Sequence, residues 1–163
     1  MTMPQHFSLI EVEDAAFYAG DLFRRVFGGD IPNYPRHFVC LYESAPGQLR
    51  TAGYAHFSRF EAVHLVGGLM VDKSLYPLIP PEHLAELGSG NSIAEYIMRE
   101  SIPMLGRSAA VFALIGDQRS REVNLRVGYV ATHITDLYAF WQADLPEDIK
   151  RAAAERVMKV APF

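Results

Sequence analysis

The stretch that most constrains this chain runs from residue 62 to residue 104. It reads AVHLVGGLMVD (62–72), then a proline-rich connection, KSLYPLIPPEHLAEL (73–87), then GSGNS (88–92) and IAEYIMRESIPM (93–104). The continuous apolar run fits a strand buried on both faces, which places it inside a sheet. The paired glycines at 67–68 suggest a bulge or a close backbone approach. A Gly-x-Gly turn that opens a helix aims backbone N–H groups and the partial positive charge of a helix N-terminus at one point. A phosphate-bearing ligand is the first expectation for such a turn.

The rest of the chain supplies partners for that strand. FSLIEV (7–12) reads as a first strand, and Asp14 can cap a helix over AAFYAGDLFRRVF that Gly28-Gly29 stops. HFVCLYE (37–43) and LRTAGYAHFSRF (49–60) read as strands joined by the turn residues SAPGQ. In the second of these, Tyr54, His56 and Ser58 share one face, and Ala55, Phe57 and Arg59 share the other. The helix after GSG carries Ile93, Ile97, Met98, Ile102 and Leu105 on one side and a Glu95–Arg99 pair on the other, with Pro103 ending or kinking it. AAVFALIG (109–116) is a further buried strand, and Asp117 can cap QRSREVNLRV before Gly128 ends it. YVATHI and DLYAFW read as two more strands, and PEDIKRAAAERVMKV reads as a closing helix. The expectation is one α/β domain over 1–163, of mixed α+β character, with a sheet of about seven strands and helices on both faces.

Charge and composition narrow the function. The net charge of −4, with no run of Lys or Arg, argues against nucleic acid as the main partner. No apolar stretch approaches the ~20 residues that cross a bilayer, so no membrane association is expected. The start, MTMPQHFSL, lacks the blocks of a secretion signal, and the single cysteine, Cys40, suits a reducing compartment. A cytoplasmic location is therefore expected. Cys40 lies in the apolar run FVCLY and reads as a buried thiol. The six histidines show no metal-ligand spacing, and no metal is expected.

The order of elements, the Gly-x-Gly turn after the central strand and the helix ending in Gly128-Tyr129 resemble the GNAT superfamily over roughly residues 7–141. The resemblance implies an acyl-CoA-dependent N-acyltransferase, an N-acetyltransferase in the first instance, with acetyl-CoA (or CoA) as co-substrate. It implies that Leu69, Met70 and Val71 flank the pantetheine arm. It also implies that Gly88, Ser89, Gly90, Asn91 and Ser92 cradle the pyrophosphate. Aligned on the central strand, His64 falls where some GNAT enzymes place a basic Glu, and Tyr129 or Tyr138 could donate a proton. The implied acceptor is a small-molecule amine or a protein amine, and a homodimer is compatible with the family.

Three departures from the family pattern stand out. Ala85 occupies the Arg/Gln position of the phosphate turn. The 73–87 connection is long and carries three prolines, so it could form a lid or a substrate loop. Asn124 stands where a Tyr often protonates the departing thiolate. An amide has no such proton to give, although it could hydrogen-bond the sulfur or the pantetheine. These departures motivate an alternative, a GNAT-like module that binds or senses CoA without turnover. Acceptor contacts are expected from residues 28–36, 73–87 and the last two strands, with Tyr34, Arg36, Tyr76 and His83 as loop residues of interest.

Overall fold

The structure is a computed structural model that describes residues 4–33 and 35–163, Ser89 by its backbone alone. Tyr34 lies outside the described residues. The chain opens with β1 (Phe7–Val12) and α1 (Ala15–Phe27) and continues into β2 (Arg36–Glu43), β3 (Leu49–Phe60) and β4 (Val63–Val71). A 3₁₀ turn (Tyr76–Leu78), a five-residue helix α2 (Pro81–Ala85) and a second 3₁₀ turn (Ser89–Asn91) lead to α3 (Ile93–Met104). The chain closes with β5 (Ala110–Leu114), α4 (Gln118–Val127), β6 (Val130–Ala131), β7 (Leu137–Trp141) and α5 (Glu147–Met158).

The seven strands form one mixed sheet in the order β1-β2-β3-β4-β5-β7-β6, in which β4 and β5 run parallel and the other neighbours antiparallel. Strand alternation sorts the core onto two faces. Val39, Leu41, Tyr54 and Met70 meet α1, whereas Phe38, Cys40, Ala55 and Phe57 share a cluster with Ile93, Ile97 and Met98 of α3. Leu65 and Phe112 pack with Ala153, Ala154 and Val157 of α5. Helices α1 and α5 therefore cover one face, and α3 covers the other.

The caps follow the chemistry of the side chains. Asp14 accepts from Phe17 N–H at 3.1 Å, Asp117 from Ser120 N–H at 2.9 Å and Ser92 Oγ from Glu95 N–H at 3.3 Å. One expectation needs correction. GSG does not open the helix directly, because Ser89–Asn91 forms its own 3₁₀ turn and Ser92 is the cap. Glu95 pairs with Arg99 as the helical spacing predicts, and it also reaches beyond its own helix. It is buried, and its carboxylate lies 3.7 Å from Arg99 and 2.8 Å from Arg126 Nε, which ties α3 to α4. The 73–87 connection also holds more structure than a loop. Glu86 at its end accepts from Gln5 N–H (2.8 Å), His6 N–H (3.0 Å) and His6 Nδ1 (2.7 Å), so the segment is clamped to the start of β1.

Candidate functional site

The site begins where β4 loses a neighbour. Among the described residues β5 pairs with β4 only at His64 and Leu65, while β3 follows β4 as far as Val71. Beyond Leu65 the two parallel strands diverge, and one edge of β4 is left to bond something other than a strand. A buried edge of this kind carries backbone donors and acceptors that need partners.

A cleft of about 690 Å³ follows that edge. Leu69, Met70 and Val71 form its floor, with Leu22 and Val26 of α1 on one side and Ser120 and Val123 of α4 on the other. Because Met70 faces α1 while Leu69 and Val71 face α3, the cleft wraps around the strand from one face of the sheet to the other. Its mouth holds Arg25, Lys73 and Arg119 together with Asp72 and Asp117. Asp72 is 3.6 Å from Arg25, and Asp117 is occupied in capping α4, so Lys73 and Arg119 are the cations without a carboxylate partner among the described residues. Sequence reasoning missed this set. The cations come from three separate elements, and only their adjacency to the ends of β4, α1 and α4 could have marked them.

The predicted phosphate cradle is only partly at the cleft. Ser92 lines it, with Ala94 beside it in the first turn of α3, but Gly88, Gly90 and Asn91 do not. Of the first-turn amides, Ile93 N–H donates to Tyr76 Oη at 3.2 Å and Glu95 N–H to Ser92 Oγ. Gly90 has φ +81°, and a Cβ there would lie 2.8 Å from Glu95 Oε2 and 3.2 Å from Arg126 Nε. That glycine is required by backbone conformation and by the ion pair beneath it.

Asn124 is buried one residue beyond Val123. Its Nδ2 donates to Ser120 O at 2.8 Å, which fixes the amide orientation, and its Oδ1 has no partner. Tyr129 is 1% exposed, lines neither this cleft nor the cavity described below, and has an unpartnered hydroxyl whose pKa burial raises far above the ordinary phenol value. His64 is 2% exposed and also lines neither. Burial, followed by the nearby positive charges of Arg36 and Arg59, lowers its pKa. Cys40 is buried, and its thiol is pushed up to about 12, as suits a core residue and not a nucleophile. Of the loop residues of interest, Tyr76 lines the cleft, Arg36 is held by Glu11 (2.6 and 2.7 Å), and His83 stacks on His6 and bonds Tyr42 Oη.

A histidine that the sequence pattern left as a strand-face residue lies against the paired glycines of β4. In the β3–β4 ladder His56 pairs with Gly68 and Phe57 with Val66, so Gly67 is the extra residue of a bulge. The His56 ring rests against both glycines. A Cβ on Gly67 would collide with it, and one on Gly68 would lie 2.8 Å from its Cε1. Bulge and close approach, the two readings of Gly67-Gly68, are both present. His56 is 7% exposed, its Nδ1 has no partner, and burial together with His37 lowers its pKa to about 4. His37 itself shares a 2.6 Å hydrogen bond with Tyr54 Oη.

The fold matches solved structures although the sequence does not. No protein-family model matches the chain, and no curated protein matches it in sequence. In structure it is similar to the ribosomal-protein-S18-alanine N-acetyltransferase of Escherichia coli (TM-score 0.55, 10% identity, 87% of this chain and 97% of that one). It is similar to YhhK of Escherichia coli, solved bound to coenzyme A (0.54, 8%, 83% and 98%). A GNAT family acetyltransferase from Brucella melitensis, solved with acetyl-CoA, is a third (0.52, 14%, 87% and 92%). The chain has the GNAT fold.

Proposed function

We propose that the protein is an acyl-CoA-dependent N-acyltransferase that moves an acetyl group from acetyl-CoA to a primary amine by direct attack. The observation that carries this reading is the unpaired edge of β4 from Val66 to Val71, bordered by the 690 Å³ cleft. Two of the structurally similar proteins hold CoA or acetyl-CoA. The residues present fit such a ligand. The β4 edge offers backbone groups to the amides of the pantetheine, and Lys73 and Arg119 stand in the cleft lining for the polyanionic end. Ser92 and the start of α3 add the partial positive charge of a helix N-terminus.

The bound thioester supplies an activated carbonyl. Backbone N–H groups near the bulge can stabilise negative charge on its oxygen, because the bulge frees them from the ladder. As the amine nitrogen bonds to the carbonyl carbon, the C–S bond breaks, and the proton lost by nitrogen needs an acceptor. His56 suits this role better than His64. It is neutral at pH 7, it rests on Gly67-Gly68 in the strand that borders the cleft, and its buried Nδ1 has no hydrogen-bond partner. The proton passes from the imidazole to solvent. The thiol has an ordinary pKa near ~8.5 and leaves as a thiolate that water protonates, so the absence of a Tyr at position 124 does not block the step.

The test pairs binding with turnover. Acetyl-CoA should raise the melting temperature, and a thiol-release assay over an amine panel should show transfer. No thermal shift at millimolar acetyl-CoA would remove the reading. Binding with no turnover on any amine would favour the CoA-binding module instead.

A further inference from the structure

On the face of the sheet opposite α3, a second cavity of about 460 Å³ meets β4 at the bulge. His56, Ser58 and Phe60 enter it from β3, Leu65 and Gly67 from β4, and Phe163 with its neighbours Val160 and Pro162 closes the outer side. The spacing along β4 matters. Gly67 lines this cavity and Leu69 lines the acetyl-CoA cleft, so the two spaces are separated by two residues, about 7 Å of strand. Two cavities that follow one another along β4, the second of them at a bulge and a histidine, are places for two substrates to be brought together.

We infer that this second cavity binds the acyl acceptor, and that the acceptor is a small primary monoamine on an apolar body. The inference rests on the acyltransferase reading and names the substrate class of that site.

The lining chemistry sets the class. Phe60, Leu65, Val160 and Phe163 present apolar surface, and His56 and Ser58 supply the polar groups. Among the described residues no Asp or Glu lines the cavity. The charged residue in its wall is Arg59, and strand alternation turns that side chain to the face opposite His56 and Ser58. The nearest carboxylate in sequence, Glu61, is held by Arg156 at 3.1 Å and does not line it. A polyamine or an aminoglycoside would bring several charges into a space with no acidic side chain among the described residues, and a free amino acid would bring a carboxylate to a face from which the Arg59 side chain is turned away. An amine with one nitrogen can present that nitrogen to His56 and bury the rest against Phe60 and Leu65. The volume is that of a small-ligand site. A neighbouring cavity, on the other side of Pro35, does contain Glu11 and Glu13, but no residue of β4 reaches it, and Glu11 is engaged by Arg36.

The experiment uses phenethylamine, phenylalanine, spermidine and a short peptide with an N-terminal Phe. Binding of each is measured by calorimetry on the whole protein without an acyl donor, and transfer is then measured with acetyl-CoA. Phenethylamine should bind, and its kcat/KM should exceed those of the other three at least tenfold. Phe60→Ala should raise the phenethylamine KM about tenfold and leave the acetyl-CoA KM within about twofold. Ser58→Asp, at a partly exposed position, should move the preference toward spermidine. Equal or better use of spermidine, phenylalanine or the peptide would overturn the inference, as would an unchanged phenethylamine KM in Phe60→Ala. Absence of phenethylamine binding in a protein that binds acetyl-CoA would overturn it and leave the acyltransferase reading standing. Phenethylamine binding without acetyl-CoA binding would do the reverse.

Discussion

The imidazole of His56 occupies the space that a side chain on Gly68 would need: a Cβ at 68 would lie 2.8 Å from its Cε1, and one at 67 would collide with the ring. The two glycines are therefore the complement of one histidine across the β3–β4 ladder. Gly67→Ala should cost about 1–3 kcal/mol, the usual penalty for overpacking a core. In a His56→Ala background the same change should cost much less, with a coupling of roughly 1–2 kcal/mol. Urea titration of the four proteins measures the cycle, and an equal cost in both backgrounds would refute the pairing.

The same burial makes His56 a determinant of acid stability. Its pKa lies at about 4 in the fold against 6.5 for an unhindered imidazole. Above pH 6.5 both folded and unfolded chains carry it neutral, and its stabilising effect is complete. As pH falls from 6.5 toward 4 the unfolded chain takes up the proton first, so stability declines through that window. His37 and His64, whose pKa values burial also lowers, push in the same direction. His56→Gln should reduce the loss of unfolding free energy between pH 7 and pH 4.5, on the order of 2 kcal/mol. Parallel denaturation curves for variant and wild type at both pH values would show that the ring titrates normally.

Much of the fold was legible because it rests on local chemistry. Asp14, Asp117, Gly28 and Gly128 mark helix ends that the structure keeps, and the spans of β1 and β3 match the apolar patterns that announced them. Helical spacing gave the Glu95–Arg99 pair but not the burial of Glu95. Its burial depends on Arg126 of α4, a contact 31 residues away. The site divides in the same way. Leu69, Met70 and Val71, singled out by the family resemblance, line the cleft, but His56 gained its importance from Gly67-Gly68 across the ladder. Strand alternation gives a residue's face, not what stands opposite it. The cations of the cleft were unreadable for a related reason, since Arg25, Lys73 and Arg119 meet only once α1, β4 and α4 have packed.

Those cations make a separate prediction about the cofactor. Lys73 and Arg119 are exposed at the cleft mouth, where a phosphate contact is partly screened. Lys73→Ala and Arg119→Ala should each weaken acetyl-CoA binding about three- to tenfold, roughly 0.6–1.4 kcal/mol. The effect should shrink as salt is raised. Pantetheine, which lacks the phosphates of CoA, should bind all three proteins alike. Equal weakening of pantetheine would mean that the substitutions disturb the cleft and do not remove a phosphate contact.

Tyr129 offers the sharpest separation of structure from chemistry. Its hydroxyl is buried, has no hydrogen-bond partner, and holds its proton across any working pH because burial raises its pKa. An unpaired buried polar group costs about 1–3 kcal/mol, and Phe fills the same volume without that group. Tyr129→Phe should therefore be at least as stable as wild type, by up to ~2 kcal/mol in urea titration. Transfer should stay within about twofold at pH 7, because a CoA thiol with a pKa near ~8.5 does not need a donor to leave. If the variant keeps its stability but loses two orders of magnitude in kcat, the hydroxyl is the group that protonates the departing sulfur. Asn124 would then be a neighbour of the acid in α4, not its replacement.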